Sequence, residues 1–279
     1  MNDSSLFRRF ILITALFILP GAFAYGVSPE PLSHEAYARV LERFVDDEGM
    51  VDYAGLQENP QDLTEYGRQL AAISPDEFRN WPEADQIALW INAYNALTLQ
   101  LIIDHYPIRR RLTRAFFPVG IRHIPGNWDG VTFNVMGREL TLNDIEHEIL
   151  RVDYEYPAIH MSLVCAAMDC PPLRTEPYVG DRLDEQHDDQ AKQLLAHPDK
   201  FRIDHENQVV HMSSIFDWFG EDFIPTHGDD PAFRWGDETE RAVMTYLASY
   251  LDDEDVDRLK LGTYEVDYLD YDWSLNDQS

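Results

Sequence analysis

Two cysteines, Cys165 and Cys170, stand five positions apart in this 279-residue chain. A thiol becomes a strong nucleophile merely by losing a proton near neutral pH, so Cys165 is the first candidate for chemistry. Such a nucleophile needs a base, and the base needs an orienting partner. His147, inside Ile145-Glu146-His147, is the expected base, with Glu146 or the amide of Asn92 orienting it. Asn95 follows Asn92 by three residues on an apolar stretch, where an unpartnered amide is costly, so both should meet something polar. Tyr94 and Asn95 are assigned to ligand binding. His160 joins them and is the second choice of base. On a strand it would share a face with Ser162 and Val164 while Cys165 points the other way.

Each of these residues has a plainer reading. In an exported protein Cys165 and Cys170 would pair as a disulfide if the loop between them turns back. A reversible bond there would mask the nucleophile. Glu146 reads equally as a helix-capping acid, His147 as a surface or core histidine, and the two asparagines as amides satisfied by backbone. No His-Glu-x-x-His, no paired Cys-x-x-Cys, no glycine-rich phosphate loop and no Gly-x-Ser-x-Gly elbow occurs, so no metal and no cofactor is expected. Arg109, Arg110, Arg111 and Arg114 form a basic cluster that reads as a solvated turn or a holder of an anionic group.

The elements that must position these residues are visible in the pattern. Ser33 is placed to cap a helix running to about Val45, and Met50–Tyr53 to form a short strand or turn. Residues Asp85–His105 carry a broad apolar stripe at helical spacing, the expected central helix, which Pro107 stops. Val131–Val135 and Glu139–Leu140 flank Met136-Gly137 as a hairpin. Thr141–Leu150 is expected as a helix with a Thr141 or Asn143 cap, and Ile159–Cys165 as a short buried strand. Phe201–Ile203 and Gln208–His211 pair around Glu206-Asn207, and Ile215–Phe219 is aromatic-rich. The sum is an α+β fold: one mixed domain over residues 25–279, with helices packed around a small, mostly antiparallel sheet.

The first 24 residues are expected to be a secretory signal peptide. Arg8 and Arg9 supply a basic start, Phe10–Leu19 an apolar run, and Ala22-Phe23-Ala24 a cleavage site. The run is shorter than the roughly 20 residues a membrane span needs and is broken by Pro20 and Gly21, so no stable span is expected after cleavage. The mature protein is expected in the periplasm or outside the cell. Loss of Asp3, Arg8 and Arg9 moves the formal charge from −29 to about −30. That field repels nucleic acid and anionic lipid, which leaves an unidentified small molecule or peptide as the expected partner. The acids are spread along the whole chain, as on a surface adapted to high salt.

Five strings occur in a fixed order: Trp90-Ile91-Asn92-Ala93-Tyr94-Asn95-Ala96; Leu142–Leu150; Ile159-His160 through Cys165 to Cys170-Pro171-Pro172; Ile215-Phe216-Asp217-Trp218-Phe219; and Tyr271-Asp272-Trp273-Ser274-Leu275-Asn276. Together they resemble the domain of unknown function 547 family from about Ser33 to Asn276. The resemblance implies a domain architecture and no settled reaction. It also implies that the first cysteine is kept where the second is often lost, which favours a role for Cys165 beyond bridging. The residues thus lead to two expectations. One is a thiol-dependent hydrolase or transferase acting on amide or thioester bonds. The other is a non-catalytic cell-envelope module, binding or structural, with a Cys165–Cys170 disulfide.

Overall fold

Every residue from Ile87 to Leu99 is buried, so the central helix, Glu83–Ile103, is covered on all sides rather than along one stripe. The computed structural model describes residues 30–114, 116, 118–228 and 233–278. The expected signal peptide lies outside them. Burying each Leu, Ile or Trp of this helix contributes on the order of 2 kcal/mol, which makes it the nucleus of the first hydrophobic core. It is also the one described helix long and apolar enough to cross a membrane, and 89% of its most apolar window is buried inside the protein. Helix Glu35–Phe44 packs on Gln61–Ala72, which lies against the central helix together with Tyr53–Glu58. The first of these begins at Glu35 without a side-chain cap, correcting the expectation for Ser33; His34 precedes it and bonds the Tyr66 hydroxyl at 2.8 Å.

The fold is α+β, as expected, with two small sheets where one was anticipated. Strands β1 (Phe133–Val135) and β2 (Arg138–Leu140) form the predicted antiparallel hairpin. Met136 and Gly137 at its tip both have positive φ, 54° and 73°, the backbone a two-residue hairpin turn requires. The second sheet runs β3 (Phe201–Asp204), β4 (Val209–Ser213), β5 (Glu265–Leu269). β3 and β4 are the predicted hairpin, whereas β5 joins β4 in parallel and was not foreseen. This sheet and helix Glu238–Ala248 hold a second core around Phe216, Phe223, Met212 and Leu247.

The expected strand Ile159–Cys165 does not form. Pro157 opens a 3-10 turn over Pro157–Met161, and the chain beyond it bonds to a side chain instead of a neighbouring strand. Asn95 Nδ2 donates to the Ser162 carbonyl at 2.9 Å and its Oδ1 accepts the Val164 N–H at 2.8 Å. With its donor and acceptor taken by one amide, this backbone has no ladder to offer. The side-chain alternation that set His160 and Cys165 on opposite faces is lost with it.

The C-terminal segment is a strap across the first core. Met168 N–H donates to Ser274 O, Leu275 N–H to Val119 O and Val51 N–H to Asn276 O. Buried Asn276 accepts from the Tyr53 hydroxyl at 2.7 Å. Met50–Tyr53 is the turn that receives this strap, with Val51 bridging Val45 and Asp277.

Candidate functional site

Between the two cores lies a cleft of about 320 Å³. One wall comes from the first core through Tyr94, Leu163 and Cys170, and the facing wall from the second through Ile215 and Phe219. Trp218 follows Ser214, whose hydroxyl donates to the Leu269 carbonyl at the end of β5. Two residues further along that chain the strap begins. It brings Tyr271 and Trp273 into the cleft, where Trp273 stacks on Trp218 with centroids 5.6 Å apart. Trp128 meets Trp273 edge-on.

Asn143, Glu146 and His147 reach the cleft from a π-helical segment, Asp144–Leu150. Its entry is fixed by a reciprocal pair: Thr141 N–H donates to Asp144 Oδ2 at 2.8 Å, and Asp144 N–H to Thr141 Oγ1 at 3.0 Å. Thr141 is therefore the cap, and Glu146, three positions beyond Asn143, is left to face the cleft. Glu146 is 8% exposed. Burial raises its pKa above the usual carboxyl range, with His147, the Tyr94 hydroxyl and Arg151 pulling the other way. A carboxyl so placed gains from any cation that enters.

Below these residues runs a charge network. Arg151 forks onto Asp222 at 2.6 and 2.8 Å and donates to His147 Nδ1 at 3.0 Å. Asp222 Oδ2 also meets His160 Nε2 at 2.8 Å. Burial pushes the Asp222 carboxyl up, but His160 and Arg151 outweigh it and hold the group well below the usual range. For His160 burial wins and lowers its pKa, against the pull of Asp222. Because guanidinium only donates, a neutral His147 carries its proton on Nε2. Because the ionised carboxylate only accepts, His160 carries its proton on Nε2 and keeps a lone pair on Nδ1. The two imidazoles therefore hold the same Nε2–H tautomer. Phe219 covers this floor, stacked on His160 at 4.4 Å with Arg151 over its ring.

Cys165 and Cys170 are joined by a disulfide, with Cα atoms 6.2 Å apart. Cys165 is partly exposed and Cys170 is 2% exposed; both line the cleft. The Cys165 N–H donates to Cys170 Sγ at 3.0 Å, and the Tyr271 hydroxyl donates to the same sulfur at 3.2 Å while standing 3.5 Å from Cys165 Sγ. The intervening loop passes through Ala166 at φ 58° and is held from behind by Lys200, whose ammonium donates to the Met168 and Cys170 carbonyls.

Of the residues singled out by sequence, Cys165, His147, Glu146, Tyr94 and His160 meet in this cleft. Asn92 and Asn95 do not line it. Asn92 clamps the backbone of Tyr178, donating to its carbonyl at 2.8 Å and accepting its N–H at 2.9 Å, as Asn95 clamps Ser162 and Val164. Sequence reasoning did not assign Asp222, Arg151, Trp128, Trp218, Tyr271 or Trp273 to the site. The aromatic strings Ile215–Phe219 and Tyr271–Trp273 carried a signal in their density of large rings. Asp222 and Arg151 carried none. No group of three or more metal-ligating side chains occurs among the described residues.

Fold and site together define an α+β protein with an aromatic cleft between two cores, a buried acid on one wall and a disulfide on another. Residues 78–195 match the family model described as "Protein of unknown function, DUF547", so that region of the chain is similar to the family its motifs resemble. The match holds the strings around Asn92, His147 and Cys165, while those around Trp218 and Trp273 fall beyond it. No curated protein and no solved structure matches the chain.

Proposed function

We propose that the protein is a binding module that takes a cationic group, on a small molecule or a peptide, into the aromatic cleft. The observation that carries this is the position of Glu146: the one carboxylate among the lining residues, buried, with Tyr94, Trp128, Trp218, Tyr271 and Trp273 around the same space. Ring faces attract cations most strongly where water is scarce, and quaternary ammonium ligands are held in such cages. The net charge of −29 adds long-range attraction for the same sign. Export to the periplasm or beyond belongs to this proposal, because a disulfide persists in oxidising compartments and the first 24 residues read as a leader.

Three of the six tryptophans, Trp128, Trp218 and Trp273, line the cleft, so intrinsic fluorescence reports occupancy directly. Tetramethylammonium, at constant ionic strength set with sodium chloride, should give saturable quenching that Glu146→Gln weakens at least tenfold. Glucose and glutamate should give none. Equal response to the sugar or the anion, or an unaffected Glu146→Gln, rules the cation reading out.

A second reading, thiol-dependent hydrolysis or transfer on an amide or thioester, is supported by Cys165 sharing the cleft with the His160–Asp222 pair. It requires the reduced protein, in which the Cys165 thiolate attacks the acyl carbon and the leaving group departs before water or an acceptor completes the reaction. The base in this reading is His160, whose Nδ1 lone pair is free of Asp222, rather than His147, whose Nδ1 is held by Arg151. Reduced protein should hydrolyse a small thioester, and Cys165→Ser should abolish the reaction; unchanged hydrolysis in Cys165→Ser rejects it.

A further inference from the structure

The disulfide in the cleft is built asymmetrically. Its two residues differ in exposure and its two sulfurs in hydrogen bonding, and both differences favour the same direction of reaction. Cys165 is the partly exposed residue of the pair and lines the cleft. Cys170 Sγ is almost wholly buried and receives two donors, the Cys165 N–H at 3.0 Å and the Tyr271 hydroxyl at 3.2 Å. In thiol–disulfide exchange the attacked sulfur must be accessible and the departing sulfur must carry negative charge, so donors on the leaving sulfur speed the step. A crosslink that only braces the fold has no need for a hydroxyl aimed at one of its sulfurs.

We propose that Cys165–Cys170 is a thiol–disulfide exchange site whose substrate is an aliphatic thiol entering the aromatic cleft, with Tyr271 as a catalytic residue. The substrate thiolate attacks Cys165 Sγ, forming a new S–S bond as the Cys165–Cys170 bond breaks. The electron pair of the broken bond leaves on Cys170 as a thiolate held by the Cys165 N–H and the Tyr271 hydroxyl. A second substrate thiolate then attacks the substrate sulfur of the mixed disulfide and releases Cys165 as a thiolate. Two thiols are thereby oxidised to one disulfide, the protein pair gains two electrons, and the protons shed by the substrates neutralise the two cysteine thiolates. A second disulfide-bearing molecule restores the pair by the same steps in reverse.

Three features fit this assignment. Burial raises the Tyr271 pKa well above its ordinary value, so the hydroxyl remains a donor across the physiological range. The loop carrying the pair is anchored from outside, by Lys200 on the Met168 and Cys170 carbonyls and by the Met168 N–H to Ser274 O bond. Opening the disulfide therefore leaves the two sulfurs close enough to rejoin. The second donor, Cys165 N–H, comes from the backbone of the attacked residue and stays in place through the first step.

The test uses the full oxidised chain and cysteamine as the probe thiol. Brief exposure at neutral pH, acid quenching, alkylation and peptide mass analysis should find the cysteamine adduct on Cys165 and the alkylated sulfur on Cys170. Tyr271→Phe should slow reduction about tenfold, the usual effect of removing one donor from a charged acceptor, with circular dichroism unchanged. An adduct predominantly on Cys170, a disulfide that opens only after the protein is unfolded, or a Tyr271→Phe rate equal to that of the parent overturns the assignment. The mass readout needs no bound cation, so its failure leaves the binding proposal standing, and failure of tetramethylammonium binding leaves the exchange site standing.

Discussion

His160 Nε2 and Asp222 Oδ2 meet at 2.8 Å although 62 positions separate them in the chain. The same carboxylate takes both arms of Arg151, which in turn reaches His147, so one acid organises two imidazoles and a guanidinium beneath the cleft. Asp222 sits on the turn Gly220–Phe223, just after the helix that carries Trp218 and Phe219, so the network also ties the second core to the first.

Asp222→Ala should therefore weaken folding. It leaves the Arg151 guanidinium and a buried imidazole without their acceptor. The pair is about a quarter exposed, 27% for Arg151 and 24% for Asp222, which places the cost at about 2 kcal/mol, below that of a fully buried pair. Urea unfolding measures it, and a change under 0.5 kcal/mol would show that the network contributes nothing to stability.

Stability should also fall as the solution is acidified from about pH 6.5 toward pH 4. Burial pushes His187 down to about 3 and His34 down to about 4. Both are neutral when folded in this window, whereas the unfolded chain binds protons there, with an ordinary value near 6.5. Their contribution is fully present above that value and is lost as pH drops through the window. His187→Gln should flatten the urea midpoint against pH profile; an unchanged profile would remove His187 from the account.

Cation binding should release a proton over the lower part of the accessible pH range. Glu146 has a raised pKa because it is buried, and a bound cation favours its ionised form. Affinity should therefore rise with pH through a point above the ordinary carboxyl value. Calorimetry in buffers of different ionisation enthalpy counts the proton directly, and a count of zero at every pH excludes Glu146 as the counter-charge.

Asn95→Ala should be among the costliest single substitutions near the cleft, at about 3 kcal/mol, because it strands the buried Val164 N–H and Ser162 carbonyl together. The prediction extends to Asn92→Ala, which strands both backbone groups of Tyr178. Hydrogen exchange at the Val164 and Tyr178 amides should quicken in the respective variants.

The local part of this structure was legible in the sequence. The central helix, both hairpins and the helical segment around Glu146 follow from apolar period and turn residues, which act between neighbours in the chain. The family resemblance was likewise carried by short strings, and the region around Asn92, His147 and Cys165 matches it. The residue types in those strings also chose Cys165, His147, Glu146, Tyr94 and His160, which the fold does bring to one cleft.

Tertiary structure decided the rest. Ile159–Cys165 has the composition of a strand, but its backbone partners are an amide donated from 67 and 69 positions away, which no local pattern encodes. For the same reason the asparagines serve the backbone and not the cleft. Asp222 became the partner of two histidine-bearing segments, and Tyr271 the donor to a sulfur 101 positions earlier, only because the strap and the second core close over the first. Period and propensity fix which residues lie on one face of one element. Which faces meet is set by burying apolar surface from distant segments at once, and the site exists only where they meet.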